Sequence, residues 1–486
     1  MKRFALLFCW LIGFYCSSQN LQLEFTYNKQ LSLLRFVKTL RRPNGAFINE
    51  KTYLDSKYNN EASKKRITAL EKLNLEARIA YEGFPETRMA GRGVYDLLII
   101  AASESNDLKD FEKRINGILP QQEQSVLIET LNYFEPVYQE LIWKPCEEKF
   151  LLKVNELKGR TVTQVRKNEL QAAFAGGNQL NYLFGNIAAF YGAKWDRAVP
   201  FKVFLYPVSG KSGATSAQPY GNILVADLLT EEKDIPGFLG VVYHEMSHVL
   251  FSEQPVELQT KIDSLFLNNP SPYRNYAYHW FNECMATVCG NGWANENLTG
   301  KIDSAEWYNN AYINKFAKAV YPFAKTYLAS SKKMDAVFIE QCITQFQKTF
   351  PDALQETDNL FTFFNMACDA EDPNPVFGGM YKFFQGRNCN SSFPIDEETI
   401  SKVEKSVYTR IYFITHDNAE TITALNKKIG GIKIPKEKRS FAYYFLSEAK
   451  NPYVIVSVNS SAESEKIFKT LFEKKTFLKS EKLIVF

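Results

Sequence analysis

The chain has 486 residues, 45% of them apolar and 14% aromatic, enough to fill the cores of two or three domains and too apolar for a disordered polymer. Lysine and arginine exceed the acidic residues by only four, and the surplus is spread along the sequence, so charge gives no argument for a nucleic-acid partner or an acidic substrate.

The first residues, "MKRFALLFCWLIGFYCSSQN", place Lys2 and Arg3 before an apolar run from Phe4 to Tyr15. A run of about a dozen apolar residues is too short to span a bilayer, and the small residues after it suit a signal peptidase, so residues 1–18 are expected to be a secretory signal and the mature chain to begin near Gln19. Lipid attachment at Cys16 is the competing reading, disfavoured by the bulky Tyr15 before it. No later segment has 18 uninterrupted apolar residues, so an exported protein without a transmembrane segment is expected. The cysteines left after processing, Cys146, Cys284, Cys289, Cys342, Cys368 and Cys389, are too sparse for a disulfide scaffold and show no C-x-x-C spacing.

Residues 19–167 read as mainly helical, with an early strand at "LQLEFTY". After a helix expected over "NELQAAFAGGNQLNYLFGNIAAFYG", the β-rich runs "FKVFLYPV" from Phe201 and "GNILVADLL" from Gly221 are separated by "SGKSGATSAQPY", whose Gly and Ser content predicts a loop. A helix follows over "GFLGVVYHEMSHVLFSEQP" from Gly237. Another follows over "SPYRNYAYHWFNECMATVCGNGW", with Ser271 as its N-cap, Pro272 at its first position and Gly290 as its stop. Helices continue to about Gly386, and "GRNCNSSFPIDEE" reads as a boundary. Beyond it the order β-α-β-β-α-β predicts a ferredoxin-like domain over 400–486.

His244 and His248 are two of only four histidines in the chain. Four residues apart on a helix, they lie about 40° apart on one face and can point both imidazoles at one place, as a zinc ion with nitrogen ligands at ~2.0–2.1 Å requires. Glu245, one step around the helix, is badly placed as a ligand and well placed as a general base. The pattern H-E-x-x-H arises by chance in roughly two such chains per thousand. The neighbouring residues reduce that reading: Gly237 and Gly240 on the histidine side leave room for a substrate, while Phe238, Val242, Val249 and Leu250 offer a buried face.

An open zinc site needs a third protein ligand. A glycine and a third histidine ligand just downstream are absent, since Phe251 and Gln254 occupy those places. In the second helix, His279 and Glu283 share a face, and spacing alone lets either approach the metal. The segment "HWFNECMA", however, resembles the W-x-N-E-x-x-A helix of the gluzincin metallopeptidases, through Trp280, Asn282, Glu283 and Ala286.

Together with "HEMSH", this resemblance covers about Gly221 to Trp293 and implies a gluzincin-like catalytic domain over 168–390, with a small sheet beside a zincin helix pair in an α+β protein. It implies Zn²⁺ held by His244, His248 and Glu283, with Glu245 as base and a peptide or protein substrate paired to an edge strand at "YGNILVADLL". It also implies an oxyanion donor from downstream, for which Tyr308, Tyr312 and Tyr321 are the candidates. Thr287 stands where the thermolysin pattern has Asp, and no glycine-rich exopeptidase signature precedes the strand. Two alternatives stay open: a binding protein that kept these helices without turnover, and a zinc hydrolase of a non-peptide bond.

Overall fold

A computed structural model of the chain describes residues 22–43, 45–79, 92–162, 179–196, 198–370, 372–415, 418–430, 439–477 and 482–486. The expected signal segment with Cys16, and the first half of the helix expected from Asn168, lie outside the described residues. The protein is α+β and mainly helical, with two small mixed sheets and a two-strand ladder. No helix among the described residues is long and apolar enough to cross a membrane. The chain divides into two compact units, Met1–Gln259 with Glu283–Met334, and Thr260–Asn282 with Asp335–Phe486.

In the first unit, β1 (Leu23–Thr26) leads into helix α1 (Lys29–Thr39), which the Asn28 side chain starts by accepting from the Leu31 amide at 3.0 Å. The longer helices α2 (Gln121–Tyr138) and α3 (Gln179–Tyr191) follow. The sheet is then completed by β2 (Phe201–Val208), β3 (Ala217–Tyr220) and β4 (Ile223–Leu229), in the order β1-β2-β4-β3. β1, β2 and β4 are parallel and β3 alone is antiparallel. All seven residues of β4 are buried, as expected of a strand covered on both faces. Ile223, Val225 and Leu229 share a core with Leu31, Leu34, Phe134 and Tyr138 of α1 and α2.

The strand expected at the sheet edge is therefore interior. β4 lies between β2 and β3, and the edge belongs to Ala217–Tyr220, inside the stretch expected to be a loop. Two local features explain this. Gly221 and Asn222 form a two-residue hairpin turn with Gly221 at φ +68°, which closes the register Tyr220↔Ile223. Pro219, which lacks an N–H, is tolerated only on an edge. A buried ion pair also fastens β3: Arg35 of α1 meets Asp227 of β4 at 2.6 Å and donates to the Ser216 hydroxyl at 2.7 Å. The other Asp227 oxygen accepts from the Ser216 amide at 2.8 Å.

Helix α4 (Ile235–Ser252) begins at Asp234, whose carboxylate accepts from the Gly237 amide at 3.0 Å. Helix α5 (Arg274–Thr287) begins later than Ser271 and does not stop at Gly290. It runs on through a π-helical turn, Val288–Ala294, and a further turn to Thr299, ending at Gly300 in the left-handed region at φ +77°. Gly290 instead lets this turn lie against α4. A Cβ there would stand 2.2 Å from the Gly240 carbonyl oxygen and 2.6 Å from the His244 amide nitrogen. Helix α6 (Ala311–Ala329) packs behind the π turn, with Trp307 and Tyr321 closing on Gly292.

The second unit holds a six-stranded sheet of β5 (Phe363–Cys368), β6 (Asn388–Ser392), β7 (Thr409–Ile414), β8 (Phe441–Leu446), β9 (Pro452–Ser457) and β10 (Leu483–Val485), in the order β10-β8-β9-β7-β5-β6. Helices α7 (Asn418–Ile429) and α8 (Ser464–Lys474) complete the expected β-α-β-β-α-β sequence from β7 to β10. Those four strands are not a sheet of their own, because β5 pairs in parallel with β7 and β6 extends the same sheet.

At Gly290 the two nearest neighbours are backbone atoms that cannot rotate away, so Gly290→Ala is expected to destabilise the protein by about 3 kcal/mol. At Gly240 the nearest atom to an added Cβ is 3.3 Å away, and Gly240→Ala is expected to cost clearly less. Chemical denaturation checks the order; equal losses would mean that the crossing is looser than this geometry.

Candidate metal centre

The metal-ligand candidates come from two neighbouring segments of the first unit. His244 and His248 lie one turn apart on α4, with their Nε2 atoms 3.2 Å from each other. Glu283, at the end of α5, brings Oε2 to 3.6 Å from His244 Nε2 and 3.8 Å from His248 Nε2. Among the described residues, these three form a cluster whose ligand atoms lie within 4.8 Å of one another. The Gly240–Gly290 approach sets this spacing, because it fixes α4 against the π turn that continues the helix carrying Glu283.

The donor set fits a zinc ion. A tetrahedral ion with nitrogen and carboxylate ligands at ~2.0–2.2 Å separates its ligand atoms by roughly 3.3–3.5 Å, and the three observed separations straddle that range. His244 is nearly buried, while His248 and Glu283 keep 20% and 28% of their side-chain surface exposed, which leaves a side from which a water or substrate can approach.

Glu245 is partly buried beside the cluster. Burial pushes its carboxyl up to about 7, His244 opposes that and Glu283 reinforces it. A cation held by the three ligands favours the ionised form, the one that can accept a proton.

The remaining candidates separate. Tyr308 lies against the site, its ring 5.7 Å from that of His244 and inclined by 25°. Tyr312 sits in the first turn of α6, where its amide is capped by Asn310. Tyr321 is buried, and its hydroxyl is committed to the Glu296 carboxylate, which also holds Lys325 at 2.5 Å. His279 belongs to the second unit, where its ring stacks on Phe363 at 4.6 Å and meets Tyr408 at 4.2 Å. Burial among these rings lowers its basicity to about 3, the signature of a packed neutral imidazole. Trp280, also in that unit, donates from its indole to Asn359 at 3.2 Å and packs on Phe363.

Gly240 does not clear space for a substrate, because it receives the Gly290 backbone. Gly237 borders an open groove, and a Cβ there would strike the Asp234 cap at 2.3 Å. The sequence reading also passed over Ala217 and Ser216, although the Gly-Asn turn and Pro219 marked a hairpin edge there. Tyr220 and Ile223 close a two-residue hairpin, and Asp227 N–H donates to the Ser216 carbonyl at 2.9 Å. By alternation along an antiparallel pair, the Ala217 N–H and C=O point away from β4, toward the open edge.

One zinc per chain is expected after dialysis. Glu283→Ala should weaken zinc binding by at least ~100-fold, because two imidazoles remain. His279→Ala should leave zinc affinity within about three-fold, since its ring is packed elsewhere. Competition with a chelator reads both. Comparison of the chain with protein-family models, with curated proteins and with solved structures finds no match.

Proposed function

We propose that the protein is an exported zinc metallopeptidase of the gluzincin kind, hydrolysing peptide bonds at His244, His248 and Glu283 with Glu245 as general base. The observation that carries this reading is the convergence of two imidazoles and one distal carboxylate on one point, with a second carboxylate beside it. Export rests on the N-terminal charge and apolar pattern. A zincin architecture for the first unit and a ferredoxin-like ancestry for β7 to β10 belong to the same proposal.

His244, His248 and Glu283 would hold the zinc ion, which when bound supplies Lewis acidity and makes water a nucleophile at neutral pH. The Glu245 carboxylate takes the proton of the attacking water and returns it to the nitrogen of the departing amine. Its partial burial keeps the proton within the site between those two events. Tyr308, alongside His244, is the best placed of the tyrosines to donate to the carbonyl oxygen as charge develops on it. An extended substrate pairs with the outward backbone groups of β3, where Ala217 offers both a donor and an acceptor and Pro219 offers only its carbonyl. That restricts the pairing to the stretch before Pro219.

Glu245→Gln is expected to abolish hydrolysis of a peptide library while zinc content stays near one per chain. Comparable turnover would remove Glu245 as base, and loss of zinc would make it a ligand. Tyr308→Phe is expected to lower kcat about 100-fold with little change in KM, whereas Tyr321→Phe should act on stability through the lost bond to Glu296. Steady-state kinetics beside thermal unfolding separates the two.

A further inference from the structure

The space between β3 and the first turns of α4 has a composition that the proposed chemistry does not use. Ala217, Ala226 and Asp227, the last already paired with Arg35 at 2.6 Å, line its strand side, and Phe238 and Val241 its helix side. Val241 keeps 41% of its surface exposed although it is apolar and lies within the metal-binding helix, four residues before Glu245. One turn of helix, ~5.4 Å, separates them, so an occupant of this groove lies next to the proposed base.

Two carboxylates stand at the other end. Glu232 accepts from the amides of Lys233 and Asp234 at 2.9 and 2.8 Å, and Asp234 caps α4 through Gly237 at 3.0 Å. Both line the groove, and both accept from backbone amides. Glu231 next to them is already paired with Lys149 at 2.7 Å. An apolar channel ending in carboxylates of this kind complements a side chain with an aliphatic stem and a cationic head.

We infer that this groove is a specificity pocket for a lysine or arginine side chain of the peptide, with the stem along Phe238 and Val241 and the cation at Glu232 and Asp234. The inference rests on the peptidase reading for its occupant. The strand supplies the geometry: Thr215 and Ala217 face the groove, while Gln218 faces the opposite side of the sheet with Arg35 and Tyr95. A peptide added beside β3 alternates in the same way and sends every second side chain toward the groove. The pocket thus admits one basic residue and places no such demand on its immediate neighbours.

The test is binding to the zinc-loaded Glu245→Gln protein, followed by fluorescence anisotropy with three labelled peptides that differ at one position: lysine, norleucine or glutamate. The lysine peptide is expected to bind about ten-fold tighter than the norleucine one, with glutamate weakest. Adding Glu232→Gln and Asp234→Asn, the latter keeping an N-cap, should remove the lysine advantage and leave norleucine binding within about two-fold. Equal binding of lysine and norleucine, an advantage that survives the double substitution, or no binding by any peptide would overturn the pocket. Turnover by the unsubstituted protein is read separately. Hydrolysis without a basic preference removes the pocket and keeps the peptidase, whereas lysine-selective binding without hydrolysis keeps the pocket and removes the peptidase.

Discussion

Two backbones meet without side chains between them at Gly240 and Gly290, and the candidate metal centre depends on that approach. The histidines ride on α4, and Glu283 lies on the helix that runs on into the π turn. Their ligand atoms converge only because nothing separates these two segments. A methyl group at Gly290 would meet two backbone atoms, Gly240 O and His244 N, and the His244 Cβ. The same turn is backed by Gly292 under Trp307 and Tyr321, so the π turn is held from both directions. Sites whose geometry is set by rigid backbone contact keep their ligands in place before any ion arrives, which lowers the cost of binding one.

Electrostatics points the same way. Two imidazole nitrogens at 3.2 Å and a carboxylate oxygen at 3.6 to 3.8 Å from them make a concentration of lone pairs, with a second carboxyl pushed up to about 7 beside it. The fold holds these groups together through its packing, and a divalent cation would satisfy the two imidazole nitrogens and the carboxylate at once. The sheet contributes its own buried charge, the Arg35–Asp227 pair. Its role is mechanical: it holds Ser216, and with it the edge beside the groove, to helix α1.

Much of this was legible in the sequence where periodicity or spacing encodes it. The one-turn spacing of His244 and His248, the strands at Phe201 and Ile223, and the order of elements after Thr409 follow from local pattern. The tie between His279 and Glu283 was broken only by the motif around Trp280, and the structure places Glu283 with the histidines while His279 packs between Phe363 and Tyr408. What spacing does not carry is the reason for a glycine. Gly290 reads as a helix stop and Gly240 as open space, although both serve one long-range contact between segments fifty residues apart. Strand order is equally non-local: the extra β3 hid in a Gly/Ser-rich stretch, and the partnership of β5 with β7 joins segments that composition divides.

The central claim is that two imidazoles and one carboxylate hold a zinc ion. X-ray absorption at the zinc edge of the loaded protein tests it directly. The account predicts a four-coordinate site with two imidazole nitrogens and two oxygens at ~2.0–2.2 Å, reduced to one imidazole by His248→Ala. A shell containing sulfur, a six-coordinate shell of oxygens alone, or a spectrum unchanged by that substitution would contradict it.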